Sequence, residues 1–166
     1  AARVSRGQSA YPLRAIWTRS GILSPALRLF DQAFSPVVVF GSKNIPDSTR
    51  TALTKLATVR IAPSGDLSPE WVLRMLEQHH GVRTLVLEGG GTLLRLFLKS
   101  HCVDELCVTW CPRIFGGNRG VTLTGGPSDF LTQSVHANLR HIEQIEGECF
   151  TRWTLSYQKP VEMQKV

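Results

Sequence analysis

The sequence predicts an α/β fold: a mostly parallel, mixed sheet flanked by helices and closed by an antiparallel C-terminal hairpin. Three observations predict it. From Leu13 to His101, short β-branched or apolar runs alternate with amphipathic helical stretches. That order builds crossover units on a parallel sheet. The run PVVVF at residues 36–40 has no polar break, as expected of a strand covered on both faces. Near the C-terminus, two alternating segments flank Glu146-Gly147-Glu148, the pattern of an antiparallel hairpin.

Each element follows from local chemistry. Residues 13–18 (LRAIWT) are β-branched and aromatic, set between Pro12 and Gly21, and read as the first strand. Ser24 and Pro25 open a short helix through Phe30, as N-cap and first helical residue. Residues 36–40 form the second strand. Asp47 caps a helix to about Ala57 with Leu53 and Leu56 on its inner face, and residues 59–62 form a short strand. The clearest helix lies within residues 66–81. Ser68 caps it, Pro69 opens it, Glu70 suits the positive end of its dipole, and Gly81 stops it. Val72, Leu73, Met75 and Leu76 form its apolar stripe. His79 and His80 fall in its last turn, where polar or cationic side chains are ordinary.

Residues 84–87 (TLVL) read as another buried strand, ending at Glu88. Gly89-Gly90-Gly91-Thr92 follows, and then a helix over residues 93–101. Residues 105–110 (ELCVTW) form a strand, and residues 138–145 and 150–157 form the hairpin. Asp104 and Glu105 are successive along the chain and face opposite sides, so they read as structural. Trp17, Trp110 and Trp153 lie on strands and read as core. The whole reads as one domain over residues 1–158 with a polar tail at 159–166.

Composition narrows the function classes. The chain has 166 residues, with 42% hydrophobic and 19% charged, as in a globular protein. A net charge of +6 favours anionic partners. No block of five like charges and no RNA-binding or zinc-finger signature is present, which argues against nucleic acid. No apolar run reaches the ~18–20 residues of a membrane span. Cys102, Cys107, Cys111 and Cys149 lack the paired spacing of a zinc site. They read as buried thiols, which implies a reducing compartment such as the cytoplasm or a plastid stroma.

The segment that carries chemistry runs from the strand TLVL through Glu88-Gly89-Gly90-Gly91-Thr92 into a helix. A helix N-terminus offers unpaired N–H groups and the positive end of its dipole, which makes an anion site. Glycines let an anion approach the backbone without a Cβ in the way. The turn matches neither the G-x-G-x-x-G fingerprint nor a P-loop, and a tight strand-to-helix turn is the lesser alternative reading of the same three glycines.

The wider succession is more specific. Glu88-Gly89-Gly90-Gly91-Thr92-Leu93 is followed, one helix later, by Val103-Asp104-Glu105-Leu106, then a strand, then Pro112-Arg113-Ile114-Phe115-Gly116-Gly117. Upstream stands Leu13-Arg14-Ala15-Ile16-Trp17-Thr18-Arg19-Ser20-Gly21. From about Tyr11 to Tyr157 this order resembles the reductase domain of riboflavin biosynthesis. The resemblance implies a dihydrofolate-reductase-like fold, an NADPH cofactor and a homodimer. It also implies reduction of the ribose of a phosphoribosylamino-pyrimidine, of the 5-amino-6-(5-phosphoribosylamino)uracil type, to a ribityl chain. Carried over by position, Gly90, Gly91, Thr92, Leu93, Leu94, Arg95 and Leu96 would hold the cofactor pyrophosphate. Glu88 would touch the substrate or the nicotinamide end of the cofactor. Thr18, Arg19 and Ser20 would meet the adenosine side, with Arg19 on the 2′-phosphate because guanidinium matches phosphate geometry. Arg113 and Arg119, beside the glycine-rich loop, are either substrate-phosphate contacts or surface charge. The resemblance assigns no catalytic side chain and no metal.

The sequence also departs from that family. Nothing before Tyr11 matches the family's opening strand and helix, so a strand-helix-strand unit of roughly 60 residues is expected to be absent. The H-x-E…P-C-x-x-C signature of an accompanying zinc deaminase is not in the sequence. Two alternatives to the reductase therefore stand beside it: a non-catalytic scaffold or subunit on the same fold, and a basic nucleic-acid-binding module.

Overall fold

The computed structural model describes residues 2–31, 34–63, 67–114, 120, 122–126, 131 and 133–157. The chain divides into two compact units, Ala1–Gly81 and Val82–Val166. The expected polar tail and most of the glycine-rich loop after Ile114, with Arg119, lie outside the described residues.

The first unit is built on a parallel sheet of β1 (Arg14–Thr18), β2 (Val37–Gly41) and β3 (Thr58–Ile61), in that order. Ile16 lies opposite Val39, and Val39 opposite Val59. All five residues of β2 are buried, as the unbroken apolar run predicts. Alternate side chains leave opposite faces. Val37 and Val39 pack with Leu53 of helix α1 (Asp47–Thr54), and Ile16, Leu23, Leu29, Phe30, Ala57 and Val59 close around them. Phe40 meets Trp71 of helix α2 (Pro69–His80) edge-on at 5.7 Å. α2 has the predicted caps: Ser68 Oγ accepts from Trp71 N, and Gly81 ends the helix at φ 62°.

Two expectations fail in this unit. Residues 24–30 form successive turns, not a helix. Ser24 Oγ accepts from Ala26 N at 3.2 Å, and the backbone bonds run from Leu27 to Ser24 and from Phe30 to Leu27. So short a run does not offset helix nucleation, and the serine side chain offers the backbone another partner. Asp47 does not cap α1. It is the first helical residue, Pro46 stands at the cap, and the Asp47 carboxylate pairs with Arg50 at 3.2 Å. α1 ends at Thr54, whose hydroxyl bonds Thr51 O. Leu56 lies beyond it and is 45% exposed.

The second unit holds helix α3 (Gly91–Lys99) and an antiparallel sheet of β4 (Glu105–Trp110), β5 (Val135–Ile145) and β6 (Glu148–Tyr157), in the order β4-β6-β5. The hairpin turn is Glu146-Gly147, with φ of 51° and 86°, the left-handed pair a two-residue loop requires. Tyr157 donates its hydroxyl to Val103 O at 2.7 Å and stacks on His101. It ties the end of β6 to the entry of β4.

The expected strand at residues 84–87 is absent. Among the described residues the segment belongs to no ladder, and Val86 is 74% exposed. Apolar, β-branched composition supplies propensity, but a strand exists only with a partner. The cysteine and tryptophan expectations also need correction. Cys107 and Cys111 are exposed, and Trp110 is 59% exposed. Cys107 lies opposite Arg152, on the face of the sheet away from Leu106 and Val108. Cys111 sits just past β4, its Sγ 3.2 Å from Glu148 Oε1.

Trp110 nevertheless has a fixed role. Its indole N–H and that of Trp153 both donate to Thr151 Oγ1, at 3.3 and 2.9 Å, while that hydroxyl donates to Val108 O at 2.9 Å. Thr151 is 7% exposed. Thr151→Val keeps the shape and removes the shared acceptor. It is expected to cost about 1–3 kcal/mol by leaving buried polar groups unpaired, read as a lower urea midpoint. An unchanged midpoint would show that water replaces the hydroxyl.

Candidate functional site

Two places assemble residues expected to bind a ligand, one in each unit. The first is the carboxyl end of the parallel sheet, where open α/β sheets hold their ligands. Thr18 ends β1, and its hydroxyl accepts from Gly21 N at 3.1 Å, folding Arg19 and Ser20 into a tight turn. Ser20 Oγ accepts from Ile22 N. Arg19 and Ser20 are exposed, and Thr18 is half-buried. The turn is locked to the one after β2. Ser42 Oγ donates to Arg19 O at 2.6 Å and accepts from Asn44 N. Gly21 has φ 70°, and a Cβ there would stand 2.9 Å from Ile45 Cα, so glycine is required on both counts. Ser42 and Ile45 were not singled out from the sequence. The signal was available: Gly41-Ser42-Lys43-Asn44 directly follows the strand run.

The second place is the glycine turn before α3. Gly90 stands at the N-cap with φ −71° and ψ 168°. Its carbonyl accepts from Leu93 N at 3.0 Å and Leu94 N at 3.2 Å. The N–H groups of Gly91 and Thr92 have no partner among the described residues. The Thr92 side chain is exposed. Leu93, Leu94, Arg95 and Leu96 are half-buried in the helix. With Leu93 and Leu94 N–H already engaged, the helix end offers an incoming anion the N–H groups of Gly91 and Thr92. Glu88 is exposed and hydrogen-bonds no described residue.

The three glycines do different work. A Cβ on Gly90 would meet nothing within 4 Å, so its missing side chain leaves open space at the helix end. A Cβ on Gly89 would press on the Leu93 side chain. A Cβ on Gly91 would stand 2.8 Å from Gly125 Cα and Thr124 C and closer still to Gly125 N. Gly91 is therefore the seat for the Thr122–Gly125 turn, which closes through Thr122 N to Gly125 O at 2.7 Å.

Other groups are less suited to chemistry. The hydrogen bond to Glu148 raises the Cys111 thiol pKa, which keeps it protonated and a poor nucleophile. Burial, with Arg60 nearby, lowers the His80 pKa. A cavity of about 30 Å³ beside Lys99, His101 and Tyr157 has room for water, not a nucleotide. Among the described residues, no group of three or more His, Cys, Asp or Glu is placed to share a metal ion. No described helix is long and apolar enough to cross a membrane.

Residues 2–150 match the family described as the RibD C-terminal domain. The chain is 31% identical over 149 residues to a 2,5-diamino-6-ribosylamino-4(3H)-pyrimidinone 5′-phosphate reductase of Archaeoglobus fulgidus, covering 89% of this chain and 64% of the relative. A protein of the same name from Methanothermobacter thermautotrophicus is 26% identical, with 92% of this chain and 70% of that one covered. The chain thus spans about two thirds of the length of these relatives. Among solved structures, a pyrimidine reductase-like protein from Corynebacterium diphtheriae superposes with a TM-score of 0.74 at 20% identity, over 95% of this chain and 66% of that one. The likeness supports the expected α/β architecture, which in this chain comprises parallel strands followed by an antiparallel sheet.

Proposed function

We propose, from the premise that this chain belongs to the RibD C-terminal domain family, that it is the reductase part of a riboflavin-pathway enzyme and that it binds NADPH. The observation that carries the cofactor reading is the open end of α3. Two unpaired N–H groups, on Gly91 and Thr92, stand beside a glycine with free space at its Cβ position. That combination fits a pyrophosphate, which needs donors, a positive dipole end and close backbone approach. Gly90, Gly91 and Thr92 would hold it, and packing of Leu93, Leu94, Arg95 and Leu96 would keep the helix end in place. When bound, NADPH supplies the hydride that reduces the opened sugar at C1.

The substrate class follows from the relatives. Both are named for a ribosylamino-pyrimidinone 5′-phosphate, which supports a phosphoribosylamino-pyrimidine here, as either the diamino-pyrimidinone or the amino-uracil. Glu88, exposed and hydrogen-bonding no described residue just before the glycine turn, is the candidate to accept hydrogen bonds from substrate. Assembly as a homodimer belongs to the same reading and is checked by sedimentation. The test of function is oxidation of NADPH by the purified protein with each of the two pyrimidines. No turnover with either would remove the activity.

Thr18, Arg19 and Ser20 supply the adenosine side. Arg19 is exposed and paired with no carboxylate, at a turn fixed by Thr18 Oγ1 and Ser42 Oγ. Arg19→Ala is expected to weaken NADPH by about 1.5–3 kcal/mol, the size of a charge-assisted contact, and to leave NADH nearly unchanged. Calorimetric titration with both cofactors checks this. Equal losses would show that Arg19 does not read the 2′-phosphate.

A further inference from the structure

Among the described residues, the start of α3 is walled on one side and open on the other. Where a Cβ on Gly91 would stand, backbone already lies, with Gly125 Cα and Thr124 C each 2.8 Å away. The same position on Gly90 has nothing within 4 Å. The wall is a tight turn of four residues. Thr122 N donates to Gly125 O at 2.7 Å, and Gly125 N donates to Thr122 O at 3.1 Å. Gly125 holds φ 123°, a backbone conformation that suits glycine.

One side chain completes this turn. The Thr122 hydroxyl donates to Gly125 O at 3.0 Å, accepts from Thr124 N at 3.3 Å and lies 3.3 Å from Thr124 Oγ1. It thus fixes both residues whose backbone atoms face Gly91. Thr122 is exposed, so these bonds serve the turn and not a buried core. The helix end beside the turn holds itself weakly. No side chain caps it, and two successive glycines carry the largest backbone freedom. Its first bonds run from Leu93 N and Leu94 N to Gly90 O, at 3.0 and 3.2 Å. An end that must be ordered as a ligand arrives binds less tightly than one ordered in advance.

We propose that Thr122 is a positioning residue. Its hydroxyl sets the Thr124–Gly125 backbone, and that backbone holds Gly91 and the first turn of α3 in the form that receives a dinucleotide. This rests on the NADPH reading above. The threonine acts on the helix end and not on the ligand. Its loss therefore weakens NADPH and NADH alike, because both carry the pyrophosphate, and leaves the preference between them unchanged.

The test uses Thr122→Val and Thr122→Ala, which remove the hydroxyl, and Thr122→Ser, which keeps it. Urea unfolding confirms that each variant is folded under the conditions of titration. Two quantities are read: calorimetric affinity for NADPH and NADH, and amide hydrogen exchange of the unliganded chain. Thr122→Val and Thr122→Ala should each weaken both cofactors about fivefold, the scale of leaving one residue's backbone to be ordered on binding. Thr122→Ser should restore most of the loss. Exchange at the Leu93 and Leu94 amides should quicken at least about fivefold, while the amides of β6 stay as they were. Unchanged affinity in both hydroxyl-free variants would overturn the proposal. So would unchanged exchange at Leu93 and Leu94, or exchange that quickens equally across β6, which marks general loosening. If the unsubstituted chain binds neither cofactor while Leu93 and Leu94 still respond, the NADPH reading falls and the bracing of α3 by Thr122 stands. If the unsubstituted chain binds both and the hydroxyl-free variants bind as well, this inference falls and the cofactor reading stands.

Discussion

Replacing Gly91 with alanine is expected to destabilise the second unit by about 2–3 kcal/mol, although alanine is the better helix former. On an open helix surface the same change would stabilise by up to about 1 kcal/mol. Here the added carbon would enter the Thr122–Gly125 turn, with Gly125 Cα and Thr124 C each 2.8 Å away. Those atoms are backbone, and the turn is held at both ends by Thr122–Gly125 bonds of 2.7 and 3.1 Å. It cannot yield as a side chain would. Either α3 moves or the turn opens, and each loses more than the propensity gain returns. Urea unfolding of Gly91→Ala decides the sign. A midpoint equal to or above that of the unsubstituted chain would mean that the turn does not rest on Gly91.

The neighbouring position is expected to behave in the opposite way. Gly90→Asp should leave stability unchanged or slightly raised, because Gly90 holds ordinary extended backbone with no atom near its Cβ position. Aspartate is also a favoured N-cap residue, better than glycine by a few tenths of a kcal/mol. NADPH affinity should nevertheless fall by at least about 2 kcal/mol, roughly 30-fold, because a carboxylate would occupy the place of the pyrophosphate and repel it. The two measurements together are diagnostic, since a folded, stable variant that no longer binds cannot be explained by damage. Unchanged affinity in the folded variant would place the pyrophosphate elsewhere.

The contrast between Gly90 and Gly91 shows where sequence reading stops. Both are glycines in one turn, and both were assigned to the phosphate. The partner that explains Gly91 is Gly125, far downstream, at a position no local pattern connects to it. Periodicity and caps did locate α2 to the residue, because Ser68, Pro69 and Gly81 act on their own backbone. The same local logic found β2, where an unbroken apolar run has few other uses. It failed at residues 84–87 for the converse reason: a threonine and three apolar residues declare a tendency to pair, but not whether a ladder forms. It also misjudged Trp110 and Cys107. Aromatic or sulfur-containing side chains on a strand are usually covered, and which face is covered depends on what packs there. The candidate site was legible as two turns, one after β1 and one before α3. The lock between the first turn and the Ser42 hydroxyl required the fold, since it joins residues 23 apart.

The run Thr84-Leu85-Val86-Leu87, outside every ladder among the described residues, has a consequence for how this protein behaves at high concentration. A window with strong β tendency, no proline and no internal charge favours pairing with another chain when it has no partner of its own. Here it is bracketed by Arg83 and Glu88, opposite charges that act as gatekeepers against self-association. On the function proposed above, Glu88 would hold two posts, one toward a ligand and one toward other copies of the chain. Neutralising it, the obvious way to probe substrate contact, also strips one guard from the window. Turnover by such a variant is therefore meaningful only alongside light scattering from the same sample.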